Sequence, residues 1–316
     1  MATDSSQTLL TGLIDYAGLF PPAKLDMQAA VEHYARARMS GDAWILGRFI
    51  CPVSRLEEFS KHASVLLPGT NATSGYREYD DDSPWLMSVL IDQDLADGIA
   101  QIDSFNEHHA RKDNGLARID AIELKAPDVL FIDHALERIP EDIFPFFEFP
   151  PEVHRPGGDC RGFVAALSGT KAAAKIRTGG TVAEAFPNCE AVAIFLHACA
   201  VADVAFKATA GLHHCVRGSH RLTYEPGSAS GTMHGFLNLF VAAALVKSAR
   251  IEEDTTLRVL HETEAGNFHF GEGTLGWTDR LVDSLQVSRV RESFALGFGS
   301  CSFDEPTAEL RHLRII

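Results

Sequence analysis

No Cys-x-x-Cys pair occurs in the chain, and its six cysteines (Cys51, Cys160, Cys189, Cys199, Cys215, Cys301) are scattered. That spacing excludes a zinc ribbon or a disulfide framework and predicts reduced, mostly buried thiols in a cytoplasmic protein. No run reaches the ~18 continuous apolar residues of a membrane span. The longest, FLNLFVAAALV at 236–246, contains Asn238 and is followed by Lys247. The first residues, MATDSSQTLL, lack the basic start and apolar stretch of a signal peptide. Also missing are GxGxxG after the first apolar stretch, a Walker-type GxxxxGK, HExxH, tandem repeats and a Ser/Gly/Pro linker that would divide two domains.

Basic residues are the minority: 28 Lys and Arg stand against 43 Asp and Glu, for a net charge of −15. An acidic surface disfavours nucleic acid and anionic membranes as partners. It leaves room for a small anionic metabolite, because a pocket can be locally basic on an acidic protein. The composition, 46% hydrophobic and 22% charged, is that of a globular chain.

What is present is a rhythm. Short apolar stretches (TGLIDYAGLF, AWILGRFI, PWLMSVLID, IDAIELK, IFPFFEF, AAKIRT, VAFKAT, NFHFG) read as strands. Between them lie amphipathic stretches such as MQAAVEHYARARM, LADGIAQIDSFNEHHARK, VAEAFPNCEAVAIFLHACAVA and HGFLNLFVAAALVKSA, read as helices. Pro187 belongs near the start of the third of these helices rather than inside it. The stretch 67–84 reads as an exposed loop. Alternating strands and helices, with strands apolar on both faces, argue for a parallel sheet. Eight of them in 316 residues fit a single (β/α)8 TIM-type barrel over 1–316, with a C-terminal extension from about 296 that closes over the barrel or packs in a homo-oligomer. A doubly wound open sheet is the competing architecture.

Strand residues of one parity share a face. On the fourth strand Ala121, Glu123 and Lys125 share one. Glu148 stands between Phe147 and Phe149 on the fifth; Lys175 and Arg177 alternate with Ile176 on the sixth; Lys207 and Thr209 alternate with Phe206 on the seventh. Arg48 on the second strand and Asp15 on the first are placed near C-terminal strand ends, where barrel enzymes build their sites. Burying so many charges for stability alone is a poor strategy, and clustered ionisable residues point to function.

Neighbouring strands lie ~4.8 Å apart, so Lys175 and Lys207 are expected within roughly 5 Å of each other. At that distance two ammonium groups repel by about 3 kcal/mol at an effective dielectric near 20. That equals about two pKa units, and desolvation adds to it. The expectation is one neutral lysine near pH 7, the form that attacks a carbonyl. Glu123, Glu148 or Asp15 would then move protons on the iminium. The glycines after strands six and seven (Thr178-Gly179-Gly180, Gly211) offer backbone N–H groups to a phosphate or carboxylate, with Arg177 and Arg217 adding charge, or else simply make tight turns. His213 and His214 stand at the predicted mouth. His213 with Glu123 and Glu148 is a possible divalent-metal set, although no ligand spacing supports it. His108 and His109 are read as solvent-facing, His197 as a core or helix-face residue, His234 and Asn238 as a helix-face network, and Cys301 as a buried structural thiol.

KIRTGG and FKATAG resemble the two lysine runs of deoxyribose-phosphate aldolase and related class I barrel aldolases. The resemblance implies an iminium role for Lys175 and an activating role for Lys207, with no cofactor required. Arg177 departs from it, standing where those aldolases keep a small residue. As a whole the chain resembles a bacterial family of barrel proteins rather than those aldolases. The leading expectation is an aldolase-like lyase acting on a small phosphorylated or carboxylated carbonyl compound. The alternatives are a metal-dependent lyase, isomerase or hydrolase, and a barrel that binds an anionic metabolite without turnover.

Overall fold

The computed structural model describes residues 4–69, 83–155 and 157–316; most of the stretch read as a loop, 67–84, lies outside them. Seven strands appear where the apolar stretches predict them: β1 (Ile14–Tyr16), β2 (Leu46–Pro52), β3 (Trp85–Leu90), β4 (Ala117–Lys125), β5 (Phe144–Glu148), β6 (Ala173–Arg177) and β7 (Phe206–Thr209). A hairpin, β8 (Gly218–Arg221) and β9 (Ser230–Met233), follows β7. A small antiparallel sheet comes next, built from β10 (Phe268–Phe270), β11 (Thr274–Trp277) and β12 (Arg280–Asp283). β13 (Ala295–Ser300) then closes the barrel between β1 and β7. Every neighbouring pair of barrel strands is parallel, so the fold is a (β/α)8 barrel.

Two boundaries differ from the sequence reading. NFHFG is not the eighth barrel strand but β10, in the sheet outside the barrel. The expected C-terminal extension begins with the eighth strand itself, and only residues after Ser300, with the helix Asp304–His312, lie beyond it. ALGFGS has too few side chains to show an apolar pattern. Its glycines suit close packing instead: a Cβ on Gly297 would come within 2.9 Å of the Leu13 carbonyl.

The outward faces of the strands make the core. Ile122, Leu124, Phe147, Ile176, Phe206 and Phe298 are buried against the helices in one continuous apolar cluster. Phe206 meets Phe195 and Phe294 edge-on, with ring centroids 5.6 and 5.2 Å apart. Each such ring contributes about 1.5–3 kcal/mol by burial. The stretch Ala183–Ala202 has the length and hydropathy to cross a membrane, yet its helix, Cys189–Ala202, packs Phe195 on Phe149 and Phe206. Asn188 caps that helix by accepting from the Ala191 N–H, which places Pro187 just before its start.

Four histidine positions and all six cysteines can be compared with expectation. The cysteines are free and buried. His197 bonds Thr256 from the face of its helix. Asn238 donates to the Val259 and Glu262 carbonyls and accepts from the Arg217 N–H, while His234 bonds the Pro187 carbonyl. His108 is exposed, but His109 is buried, held between the Ser60 hydroxyl and the Gly115 carbonyl. The helix there carries its apolar face round to position 109.

His154 has no hydrogen-bond partner on either ring nitrogen; its ring stacks on Phe149 and meets Phe195 edge-on. Burial pushes its pKa down from 6.5 to about 4. Between those values the unfolded chain binds a proton that the folded chain refuses, so stability falls as pH drops through that window. Urea unfolding should show a loss of roughly 2 kcal/mol from this group between pH 7 and pH 5. His154→Phe should flatten that part of the slope; a slope identical to the parent's would refute the assignment.

Candidate functional site

Glu123 is buried at the centre of the barrel, and its two oxygens face different lysines. Oε2 lies 2.6 Å from Lys175 Nζ, and Oε1 lies 2.7 Å from Lys207 Nζ. Ser88 on β3 also donates to Oε1, at 2.8 Å. Lys175 continues to Glu148 Oε2 at 2.7 Å, and Glu148 Oε1 accepts from Arg177 Nε at 3.1 Å. In the other direction Lys207 reaches Asp15 Oδ2 at 2.5 Å, and Asp15 Oδ1 accepts from the Arg48 backbone N–H at 2.6 Å. The result is a chain of alternating charge: Asp15, Lys207, Glu123, Lys175, Glu148, Arg177.

Strand register explains the order. Glu148, Lys175 and Lys207 are Cα partners across β5, β6 and β7, and all are buried or nearly so. Glu123 on β4 and Asp15 on β1 reach in from the sides. Gly47 makes room for Asp15, since a Cβ there would collide with its carboxylate.

The expected repulsion between neighbouring lysines is therefore absent, because a carboxylate stands between them. Burial works against the Lys175 charge, but Glu123 and Glu148 outweigh it and raise the pKa. Burial likewise opposes the Glu123 carboxylate, and the two ammonium groups hold it far below the usual range. Glu148 is lowered in the same way, by Lys175 and Arg177 against burial. Lys175 is thus an ammonium at rest, not the neutral amine that the sequence led us to expect.

Above this chain, at the C-terminal ends of the strands, lies a cavity of about 240 Å³. Lys175 and Glu123 line it together with Arg177, Gly180, Thr209 and His213. Phe20, Pro21, Ile50 and Leu90 supply its apolar wall. β13 keeps it open: a Cβ on Gly299 would come within 3.0 Å of Ile50. Asp15, Lys207 and Glu148 do not line the cavity but hold the residues that do.

The remaining candidates take other places. Lys125 is exposed and lines a separate surface groove with Phe131 and His134. The Arg48 side chain pairs with Asp120 at 2.7 Å, leaving only its backbone to serve Asp15. Thr178 donates to the Ala210 carbonyl, and Gly179 packs against Gly211 under Phe186, so these three join two loops rather than cradle an anion. His214 stacks on His220 at 3.3 Å and faces Glu309, while Arg217 is absent from the cavity lining. The suggested metal set of Glu123, Glu148 and His213 does not assemble. Both carboxylates bind Lys175, and among the described residues no group of three His, Cys, Asp or Glu is arranged to hold a metal ion.

Sequence reasoning missed Ser88, whose signal was a lone polar residue inside WLMSVL. It also set aside Cys301, which lines the cavity with its Sγ 3.9 Å from His213 Nδ1. Burial opposes the His213 charge, but hydrogen bonds with Cys301 and Glu305 raise its pKa to about 9. Compared with family models, curated proteins and solved structures, the chain gives no match.

Glu123→Gln should expose what the central carboxylate does. Two buried ammonium groups would lose their shared counter-charge, destabilising the fold by about 3–5 kcal/mol at pH 7. With the folded-state pKa of Lys175 then below its unfolded value, stability should recover as pH rises toward 10. Denaturant unfolding at pH 7 and pH 9.5 tests this, and an equal loss at both would contradict it.

Proposed function

We propose that this barrel is an aldolase-like lyase in which Lys175 forms a Schiff base with a small anionic carbonyl compound. The observation that carries the reading is the position of Lys175: its amine lines the cavity between two carboxylates that can exchange protons with it. Arg177, Thr209 and the His213 imidazolium, on the same cavity, suit a phosphate or carboxylate on the substrate. The likeness of KIRTGG and FKATAG to the aldolase runs agrees with this reading. Lys207 holds Glu123 in place rather than repelling Lys175 directly.

Because Lys175 rests as an ammonium, the reaction begins with loss of a proton. Glu148 is the natural acceptor, since it shares its charge between Lys175 and Arg177. A substrate anion that draws Arg177 toward itself removes one of the two cations depressing the Glu148 pKa, and so makes it a better base. The free amine then attacks the carbonyl, and water leaves as the iminium forms.

A second reading follows from the same charge. Lys175 would stay an ammonium and stabilise an enolate oxygen while Glu148 removes the α-proton.

Borohydride reduction in the presence of small aldehydes and ketones, phosphorylated and not, distinguishes the two by intact mass. The Schiff-base reading expects an adduct that maps to Lys175 and is absent in Lys175→Met. Its formation should accelerate from pH 7 to pH 9, by up to about tenfold per unit as the neutral amine becomes more abundant. No adduct across the panel, together with exchange of a ligand α-proton into deuterated water, would replace the Schiff base by the enolate reading.

A further inference from the structure

A second chamber, of about 250 Å³, lies beside the lysine cavity, and Cys301 lines both. Its wall includes Tyr16, His33, Tyr224, Asp304 and Glu305. Tyr16 is 2% exposed, and its hydroxyl has no hydrogen-bond partner. A buried phenol left unpaired costs about 1–3 kcal/mol, and a small donor-acceptor molecule in the chamber would satisfy it. On the same chamber, Cys301 Sγ lies 3.9 Å from His213 Nδ1 and 3.7 Å from the Tyr224 hydroxyl. Glu305 faces the same His213 nitrogen at 3.5 Å and accepts from the Tyr224 hydroxyl at 2.8 Å. None of the other five thiols, Cys51, Cys160, Cys189, Cys199 and Cys215, lines either chamber.

We propose that the side chamber admits a small hydroperoxide and that Cys301 is the thiol it oxidises. The terminal peroxide oxygen bonds to Sγ as the O–O bond breaks. The other oxygen leaves as water or an alcohol, taking a proton from the His213 imidazolium, and the thiol proton passes to His213 in its place. The sulfur is oxidised by two electrons to a sulfenic acid, and the peroxide is reduced by the same two. Tyr16 orients the peroxide through the hydroxyl that is otherwise unpaired. Since Cys301 is also a wall of the lysine cavity, the added oxygen narrows that cavity. None of this depends on the chemistry of Lys175.

The test uses the full chain, hydrogen peroxide and a cyclic 1,3-dione that traps sulfenic acids, with peptide mapping of all six cysteines. Label should accumulate on Cys301 alone. His213→Gln should slow labelling by roughly a hundredfold through loss of the proton donor. Tyr16→Phe should slow it by about fivefold, the worth of one hydrogen bond. It should raise the melting temperature rather than lower it, because the hydroxyl it removes is buried and bonds nothing. Label spread over the other cysteines, an unlabelled Cys301, or an undiminished rate in either variant would overturn the proposal.

Discussion

The carboxylate of Glu123 decides how the upper half of the barrel is organised. Two ammonium groups on adjacent strands, buried and at matching register, cannot share a low-dielectric interior unless a negative charge lies between them. Glu123 gives one oxygen to each. Each lysine then needs a second counter-charge on its far side, and Glu148 and Asp15 supply it. Each of those carboxylates has a free oxygen that must in turn be satisfied, by Arg177 at one end and by the Arg48 backbone N–H at the other. The alternation therefore propagates outward from one residue until it reaches backbone or the rim of the cavity. Three carboxylates balance three cations, so the chain is neutral as a whole.

Space and charge are set by different strands. β1 and β4 to β7 bring the ionisable residues, whereas β13, rich in glycine, brings almost no side chain to the same level. A side chain at position 299 would crowd Ile50 and Thr209, two residues of the cavity wall. Thr178, Gly179 and Gly211 add a third element by locking the loops after β6 and β7 together. The wall that carries Gly180, Thr209 and His213 is thereby held at a fixed distance from Lys175.

Much of this could be read from alternation alone. The parity of IDAIELK, AAKIRT and VAFKAT put Glu123, Lys175 and Lys207 on one face, because a parallel strand buried on both sides makes its inward charges conspicuous among apolar neighbours. Parity failed at Lys125, where β4 ends and the side chain turns to solvent. It failed differently at β13, because glycines carry no side chain whose polarity could alternate. The pairing of charges was invisible for another reason. A sequence shows that two lysines share a face, but not that a carboxylate from two strands away reaches between them. The sign of the Lys175 shift depends entirely on that third group, so repulsion, inferred from the lysines alone, gave the wrong direction. Cys301 and His213 were likewise separated by too much chain for spacing to connect them.

An alternating chain of buried charges is an expensive way to fill a barrel, and apolar side chains of similar volume usually serve stability as well or better. Lower in the same barrel, Ala121, Phe146 and Ala173 do fill the interior with apolar groups. The change from apolar to ionic filling occurs at the level where the cavity opens, at the C-terminal strand ends. A purely structural role would give no reason for the transition to coincide with access from solvent. A catalytic or binding role would, because at that level Glu123, Lys175 and Arg177 border the cavity. Arg177 is the member with the most freedom to do so: its side chain is 41% exposed, against 3% for Lys175. The chain thus runs from a rigid, fully paired interior at Asp15 to an adaptable cation at the cavity rim. Glu148 is the carboxylate that links the two, pairing with Arg177 on one oxygen and with Lys175 on the other.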